Sequence, residues 1–460
     1  MQDRLDLDSV DELSSAGSSG TARRAHVRQA RVFRKIEEEV LLPTDLRRLL
    51  PEGDASLWIR EGLSHIDLSV LRDMYGDYGG VAYDPRAMLG ILLYAYFEGE
   101  TGSRTIEKRC VRDVGYMHVG YGYKPDDRTI RRFRRRIGPA LEEVFRLVVR
   151  ACKEEGLLPF RRVAVDGTKI ASVASQMNRW LSKAEKEDVV AMGFELEECS
   201  DPEARNVGKP GHFVLGYNCQ AAVDCDSGIL VAAQVSSVGA DANFLVPMVK
   251  ATVQNADKKP DEVVADAGYD SSEGASACAK LGVEAYIAPQ SSVETFWAVT
   301  QEGEVVCPMG NRLEEAGTYI ARGKLRQVLR VAGCSKCPFY KECCGASKAR
   351  YLSFLQGADP IERLNTAYRA RSPEGKAAMR ERMATIEPVF ADIKWNKGLN
   401  RFKLKGLEGA RIEWFLKLLA KNLTKLGRAL TGLLGALFRL LSVNKFQPQS
   451  PRFTTLSHMA

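Results

Sequence analysis

Apolar positions recur first with a helical period and then, from about residue 160, in short runs typical of strands. The run "DPRAMLGILLYAYFEGE" predicts a helix with Asp84 as its N-cap and Pro85 in its first turn. A second helical run, "TIRRFRRRIGPALEEVFRLVVRACKEEG", is interrupted by Gly138 and Pro139 and keeps its arginines on the polar side. Residues 41–155 are therefore predicted to form an all-helical N-terminal domain.

The next segment, 156–291, follows a different pattern. "RRVAVD" predicts a strand, and "YNCQAAVDCDSGILVAAQVSS" predicts two strands joined by a turn near Asp226. Helical and strand patterns then alternate through "DANFLVPMVKATVQ", "EVVADAGY", "SEGASACAKLG" and "VEAYIAP". Three strands followed by a helix, a strand, a helix and a strand is the element order of a ribonuclease H-like core. The sequence therefore predicts an α/β fold with a mixed sheet.

The remaining segments are assigned by composition and by the return of the helical period. Residues 1–40 are rich in Ser and Gly, then basic, and predict a disordered basic arm. Residues 292–360, with cysteines and short β-prone pieces, predict an insertion in the catalytic domain. Helical periodicity resumes over 361–430, which is predicted to complete that domain, and 431–460 are predicted to be a C-terminal tail.

Length and charge narrow the function. A chain of 460 residues predicts two or three domains. It has neither a secretory leader pattern nor an apolar run long enough to span a bilayer, which predicts a cytoplasmic protein without a membrane partner. The net charge is only +7, but "RTIRRFRRRI" holds six arginines in ten residues, and "RFKLKG" begins a second basic stretch.

Clustered cations of this kind are typical of proteins that contact the phosphate backbone of DNA. A solvated helix face is the alternative interpretation of either stretch taken alone. The DNA-binding candidates from these two stretches are Arg131, Arg132, Arg134, Arg135, Arg136, Arg401 and Lys403.

Three acidic residues are the candidates for catalysis. Asp166 ends the strand pattern "RRVAVD", Asp266 ends "DEVVAD", and Glu387 lies in "RERMATIEPVFADIK", a predicted basic amphipathic helix. Their carboxylates could converge on Mg2+ (or Mn2+), a hard cation that prefers oxygen ligands. Two such ions can promote in-line displacement at a phosphodiester. Each residue alone is more often a turn residue, a loop cap or a solvated glutamate, so the prediction rests on the three together.

These motifs resemble those of bacterial insertion-sequence DDE transposases, in particular the group named after insertion sequence eleven-eighty-two, over roughly residues 80–426. The resemblance rests on "YDPRAMLGILLYAYFEG", "PDDRTIRRFRRR", "AVDGTKI", "VVADAGYDS" and "IEPVFADIKWNKGLNRFKLKG". It implies that Asp166, Asp266 and Glu387 form the acidic triad of an endonuclease and strand-transfer enzyme. The implied partners are the element's terminal repeats and a target, both double-stranded DNA, bound by a homodimer at the bacterial nucleoid.

The same resemblance implies further residues near the glutamate. Lys394, seven residues after Glu387, corresponds to a lysine that relatives hold near the DNA backbone. The tyrosine and arginine that some relatives place before the glutamate are Arg380 and Met383 here, so Arg382 is the candidate substitute for that arginine. Two other functions stay open at this point: a metal nuclease that cuts without joining, and a catalytically retired DNA-binding protein.

Four cysteines in the predicted insertion have metal-ligand spacing. They read "CPMG…CSKCPFYKEC", a Cys-x2-Cys pair followed by another cysteine six positions later and preceded by a remote cysteine before Pro-x-Gly. Tetrahedral thiolate sites for structural Zn2+ use such spacings, and a small insertion would gain folding free energy from the metal. Free thiols are the alternative. The candidate zinc ligands are Cys307, Cys334, Cys337 and Cys343.

Overall fold

The computed structural model describes residues 45–76, 79–174, 201–209, 212–290, 298–300, 304–321, 323–357 and 359–443. The predicted arm at 1–40 and the last part of the predicted tail, 444–460, lie outside these residues.

Helices occupy the first part of the described chain. Asp84 caps the helix that begins at Pro85 and accepts a hydrogen bond from Arg86 N at 2.8 Å, as predicted. A short turn over Gly138–Ala140 separates two later helices, which confirms the predicted interruption. The helices are α1 (Ala55–Ser64), α2 (Ser69–Arg72), α3 (Pro85–Phe97), α4 (Ser103–Arg112), α5 (Val114–Val119), α6 (Asp127–Arg136) and α7 (Leu141–Glu154).

A mixed sheet follows, as the sequence predicted. Its strands are β1 (Arg162–Ala171), β2 (Arg205–Lys209), β3 (His212–Asp224), β4 (Leu230–Ser236), β5 (Glu262–Ala265) and β6 (Glu284–Ile287). They are ordered β2-β3-β1-β5-β6, and β4 also pairs with β3. β1 is antiparallel to β3 and parallel to β5, which is parallel to β6. β2 was not predicted, because "RNVGK" lacks alternating apolar positions and joins the sheet at its edge.

The segment predicted as an insertion builds separate small sheets. β7 (Ala298–Val299) pairs with β8 (Val305–Val306), while β9 (Leu313–Ala321), β10 (Lys324–Val331) and β11 (Tyr351–Leu355) form a three-stranded sheet. This sheet and α10 (Tyr340–Cys344) share a small core that includes Val331, Leu352 and Phe354. The segment predicted as an insertion thus has a small core, to which Leu364 beyond it also belongs.

Six helices complete the described elements from the sheet onwards: α8 (Leu245–Ala256), α9 (Ser272–Lys280), α10, α11 (Pro360–Arg371), α12 (Pro373–Ala391) and α13 (Gly406–Val443). α12 lies against β1, β5 and β6, and α8 packs on β3 and β4. α13 contacts α1, α3, α7 and β4 and runs past residue 430, where the sequence analysis ended the catalytic domain.

One hydrophobic core joins the N-terminal helices to the sheet. It extends from Ile59 in α1 to Leu430 in α13 without a break. Trp414 lies fully buried within it and donates from its indole nitrogen to Gln220 O at 3.1 Å. No helix among the described residues is long and apolar enough to cross a membrane.

Candidate active site

The first two predicted acidic residues lie side by side on neighbouring strands. β1 and β5 are parallel, and Val165 pairs with Ala265 in their register. Asp166 and Asp266 directly follow this residue pair on the two strands, so about one strand spacing separates their backbones. The Asp166 side chain is 18% exposed and the Asp266 side chain 48% exposed. The pair therefore combines a half-buried carboxylate with one that is more exposed to solvent.

A buried arginine from α12 lies between these carboxylates. Arg382 Nη2 is 2.9 Å from Asp166 Oδ2 and 3.6 Å from Asp266 Oδ2. The Nε of the same guanidinium donates to Val165 O at 3.3 Å, and only 7% of the side chain is exposed. The arginine that was predicted to contact DNA is thus an internal partner of the aspartate pair.

Each aspartate divides its oxygens in the same way. Oδ1 of Asp166 accepts from Gly167 N and Oδ1 of Asp266 accepts from Gly268 N, both at 2.8 Å. Burial raises the pKa of Asp166 to about 6; the Arg382 charge opposes this shift and the nearby Asp266 charge adds to it. Further positive charge at Asp166 Oδ2 would therefore stabilise the ionised form of this carboxylate.

Glu387 lies on the same helix but does not join this pair. It is exposed, five residues after Arg382, which is about 140° further around an α-helix. Pro388 follows it inside α12, and the helix then passes into a π-helical turn over Asp392–Asn396. Within the described ranges, no group of three or more His, Cys, Asp or Glu side chains is placed to hold a metal ion.

The basic residues beyond Glu387 mostly hold the strand that carries Asp166. Lys394 Nζ donates to Thr168 Oγ1 and to Lys169 O, both at 3.3 Å, and burial lowers its pKa. Arg401 Nη1 donates to Ser172 O at 2.9 Å, just past the end of β1. These two residues act locally as positioning groups for the backbone.

The predicted basic helix α6 exposes only part of its arginines. Arg131 is 58% exposed and pairs with Asp127 at 2.9 Å. Arg134 is buried and donates to Ser103 Oγ at 3.3 Å, so its guanidinium is not on the outer surface. The Arg136 guanidinium stacks 4.6 Å from the centre of the Tyr75 ring. The exposed members of the DNA-binding candidates include Arg132, Arg135 and Lys403.

An aspartate in the segment after β4, which no sequence motif marked, contacts the opposite face of β1. Asp241 accepts hydrogen bonds from Lys169 Nζ at 2.9 Å and from Asn218 Nδ2 and Gln220 Nε2, both at 2.8 Å. Side chains alternate along a strand, so Lys169 and Asp166 point to opposite faces. The only sequence signal, an aspartate a few residues after β4, also fits the start of the following helix.

Four of the five cysteines in the segment predicted as an insertion belong to its small core, and Cys337 does not. Cys334 and Cys344 are buried, with Cys307 and Cys343 packed against the same cluster. Burial, together with the neighbouring Cys334 and Cys343, raises the pKa of Cys344 to about 11. Backbone bonds from Gly310 N to Cys307 O at 2.8 Å and from Cys337 N to Cys334 O at 3.0 Å close a tight turn after two of the thiols.

A carboxylate pair at the ends of parallel strands in a basic protein is typical of enzymes that act on phosphodiesters. Two known protein families match parts of the chain. Residues 306–427 match the family described as a transposase DDE domain, and residues 33–136 match the family described as a transposase domain (DUF772). No curated protein matches the chain.

The chain is accordingly a DNA transposase, of the DDE type that insertion sequences encode. Such a protein binds DNA, cleaves or transfers its strands and generally uses divalent metal ions. Neither match assigns it to the eleven-eighty-two group. The DDE match contains Arg382, Glu387 and Lys394, whereas Asp166 and Asp266 precede it.

Proposed function

We propose that the protein cleaves the ends of its element and joins them to target DNA, with Asp166 and Asp266 as metal-binding carboxylates. The observation that carries this proposal is the convergence of both Oδ2 atoms on one positive charge, the Arg382 guanidinium. A site that already accommodates one cation between two carboxylates fits Mg2+ or Mn2+. Glu387 is the third proposed ligand.

The order of the strands supports a ribonuclease H-like core for this enzyme. β4, β3 and β1 form an antiparallel run, and β5 and β6 extend it in parallel with β1. This matches the predicted order of three strands followed by two helix–strand units. In this arrangement Asp166 lies on the central strand and Asp266 follows its parallel neighbour, where a ligand can approach the strand ends.

Glu387 can join Asp166 and Asp266 as a third ligand only if α12 changes its conformation near Glu387. Pro388 cannot donate a backbone hydrogen bond, and the π-helical turn at Asp392–Asn396 alters the helical register just beyond it. We propose that α12 bends here when the site is assembled. Lys394, held on β1 two residues beyond Asp166, keeps the strand in place.

In the proposed reaction the enzyme binds, orients and neutralises the scissile phosphate. Bound Mg2+ supplies Lewis acidity and a nucleophilic oxygen at neutral pH. Water attacks phosphorus at the element end, the bond to the 3′ oxygen breaks, and a 3′-hydroxyl is released. That hydroxyl then attacks a target phosphodiester and displaces its 3′ oxygen, which takes up the proton. Positioning and charge stabilisation account for the catalysis.

The test uses Mg2+ and labelled DNA that carries the flanking element's ends. Wild-type protein is compared with Asp266→Asn and with Asp261→Asn, an exposed aspartate just before β5 that serves as the matched control. Joined product from wild type and Asp261→Asn, absent with Asp266→Asn, is the expected result. Cleavage without joining would replace the proposal with a nuclease. Metal-independent DNA binding without either product would replace it with a DNA-binding protein.

The DNA surface that we propose consists of the exposed residues Arg131, Arg132, Arg135 and Lys403, without the buried Arg134 and Arg382. Phosphate contacts release counterions, so each lost contact reduces the slope of log K against log salt by about 0.9. Arg132→Gln should lower that slope, and Arg134→Gln should not. We also propose that two copies bring the two ends together, which light scattering of the DNA complex would report.

The proposed zinc site comprises Cys307, Cys334, Cys337 and Cys343. It is supported by the small core that Cys307, Cys334 and Cys343 share and by the turns that follow Cys307 and Cys334, the second of which ends at Cys337. Metal analysis should find about one zinc per chain, lost in the double variant Cys334→Ser and Cys337→Ser. Cys225→Ser, outside the insertion, is the control. Protein purified without chelators and free of zinc would contradict the proposal.

A further inference from the structure

We propose that Arg382 acts as an internal counterion for the metal-free site, and that a divalent cation enters by displacing its guanidinium from between Asp166 and Asp266. This inference rests on the function proposed above. It assigns Arg382 a role in controlling metal occupancy of the site rather than in contacting DNA.

The Arg382 guanidinium lies between the two carboxylates. Arg382 Nη2 is 2.9 Å from Asp166 Oδ2 and 3.6 Å from Asp266 Oδ2, so it occupies the position between the carboxylates. The Oδ1 atoms of both aspartates already accept backbone N–H groups. The Oδ2 atoms are therefore the ones that an ion shared by the two aspartates would use. Mg2+ binds carboxylate oxygen at about 2.0–2.1 Å, which leaves no room for the guanidinium at the same point.

The charges of Asp166, Asp266 and Arg382 interact at short range. Two carboxylates this close repel each other, and Asp166 is largely buried, where that repulsion is poorly screened. Arg382 offsets part of this repulsion, because it places one positive charge between the two carboxylates. A divalent ion at the Oδ2 atoms would face the arginine charge within a few ångströms. The two cations therefore compete, and each should weaken binding of the other.

The Arg382 side chain also contacts the backbone of β1. Its Nε donates to Val165 O, the carbonyl just before Asp166, at 3.3 Å. Glu381, next to it on α12, pairs instead with Arg161 and Arg162 at the start of β1. The helix is thus anchored to β1 by a separate set of ion pairs. The Arg382 side chain can leave the aspartates without releasing α12 from the sheet.

The experiment measures Mn2+ binding by calorimetry on the full chain without DNA, so that activity is not the readout. Arg382→Gln should bind Mn2+ at least about tenfold more tightly than wild type, because a competing positive charge a few ångströms away is gone. It should also melt at a lower temperature than wild type in EDTA and gain more stability from Mn2+. Arg380→Gln, exposed on the same helix two residues earlier, makes the same charge change and should match wild type.

Two further variants separate the possible outcomes. Asp166→Asn in the Arg382→Gln background should abolish the tight binding, which would locate the ion. Arg382→Lys keeps the charge, should fold without metal and should bind Mn2+ with nearly wild-type affinity. If Arg382→Gln cannot be purified, Arg382→Lys and wild type still allow a test, since added Mg2+ should abolish the slowly exchanging Arg382 Nε–H signal of wild type in the NMR spectrum.

Equal or weaker Mn2+ affinity in Arg382→Gln, with binding still dependent on Asp166, would overturn the displacement while leaving the proposed site intact. An Arg382 Nε–H signal that is unchanged at saturating Mg2+ would do the same. Binding that does not depend on Asp166 in any variant would instead overturn the proposed metal site.

Discussion

The two faces of β1 hold aspartates in opposite settings. On the face covered by α12, the oxygens of Asp166 have one backbone donor and one arginine that is shared with a second carboxylate. On the other face, Asp241 accepts from Lys169, Asn218 and Gln220 and has no such competitor. The same residue type is therefore incompletely neutralised on one side of the strand and well satisfied on the other.

This difference distinguishes a binding carboxylate from a structural one. A buried charge is costly unless it is paired and hydrogen-bonded, and Asp241 meets both conditions from within the protein. Asp166 meets them only in part, and burial raises its pKa. Perturbed groups of this kind are enriched at functional sites. We therefore expect changes on the α12 face to affect catalysis and changes on the Asp241 face to affect stability.

The largest effect is expected from Asp166→Asn, which keeps the shape of the side chain and removes its charge. Cleavage and joining of element ends should fall by at least about 100-fold, as when one preorganised electrostatic group is lost from an active site. Arg382 retains Asp266 as a partner, so the variant should still fold. Gel assays of product and a thermal melt provide the two readouts. Activity within a few fold of wild type would break the comparison.

Asp241→Asn should have the opposite profile. Its amide group would face the donors of Asn218 and Gln220, and Lys169 would lose its counterion. Unsatisfied buried groups of this kind cost about 1–3 kcal/mol in the free energy of unfolding. Denaturant titration should show that loss, while Mn2+ affinity should change much less than in Asp166→Asn, because Asp241 acts on Asp166 only through its charge. A catalytic defect without a loss of stability would assign Asp241 to the active site instead.

Gly167→Ala tests how tightly the Asp241 face is packed against the strand. A Cβ at this position would lie 2.9 Å from Asp241 Oδ1 and 3.1 Å from Asn218 Oδ1, closer than packed atoms allow. Overpacking of this kind costs about 1–3 kcal/mol. Gly80→Ala, where a Cβ meets open space, is the control. Equal stability of the two variants would show that the side chains of Asp241 and Asn218 can rearrange without loss of stability.

Tyr269→Phe is the smallest of the four changes. The buried Tyr269 hydroxyl donates to Gln220 Oε1, and its loss leaves that acceptor without this donor. About 1 kcal/mol of stability should be lost, read as a shift of the urea midpoint at constant slope. In a double variant with Asp166→Asn the stability changes should add within about 0.5 kcal/mol if the two faces are independent. Strong non-additivity would show that they form one network.

Much of the secondary structure could be predicted because local signals agreed with it. The N-cap Asp84, the interruption at Gly138 and the alternating helix–strand order after β4 all correspond to observed elements. β2 could not be predicted, because an edge strand is held by backbone pairing and needs no apolar alternation. α13 extends past residue 430, where its apolar pattern alone did not define an end.

The candidate site was predictable to different degrees. Asp166 and Asp266 end apolar runs, and parallel strands bring such ends together, so their proximity followed from the pattern. The position of Arg382 did not, because it depends on the rotation of α12 against the sheet. The same rotation leaves Glu387 exposed, so its predicted role as a ligand stays a prediction.

The element types, the two strand-end aspartates and the clustering of positive charge could be inferred from the sequence, because they depend on local period and composition. The pairing of charges became visible only in the folded chain. Folding buried Arg134 in the helical region, gave Asp241 three donors and set Arg382 between Asp166 and Asp266. The physical reason is that burial and charge pairing depend on contacts between residues distant in the chain, such as Arg382 and Asp166, which no local pattern specifies.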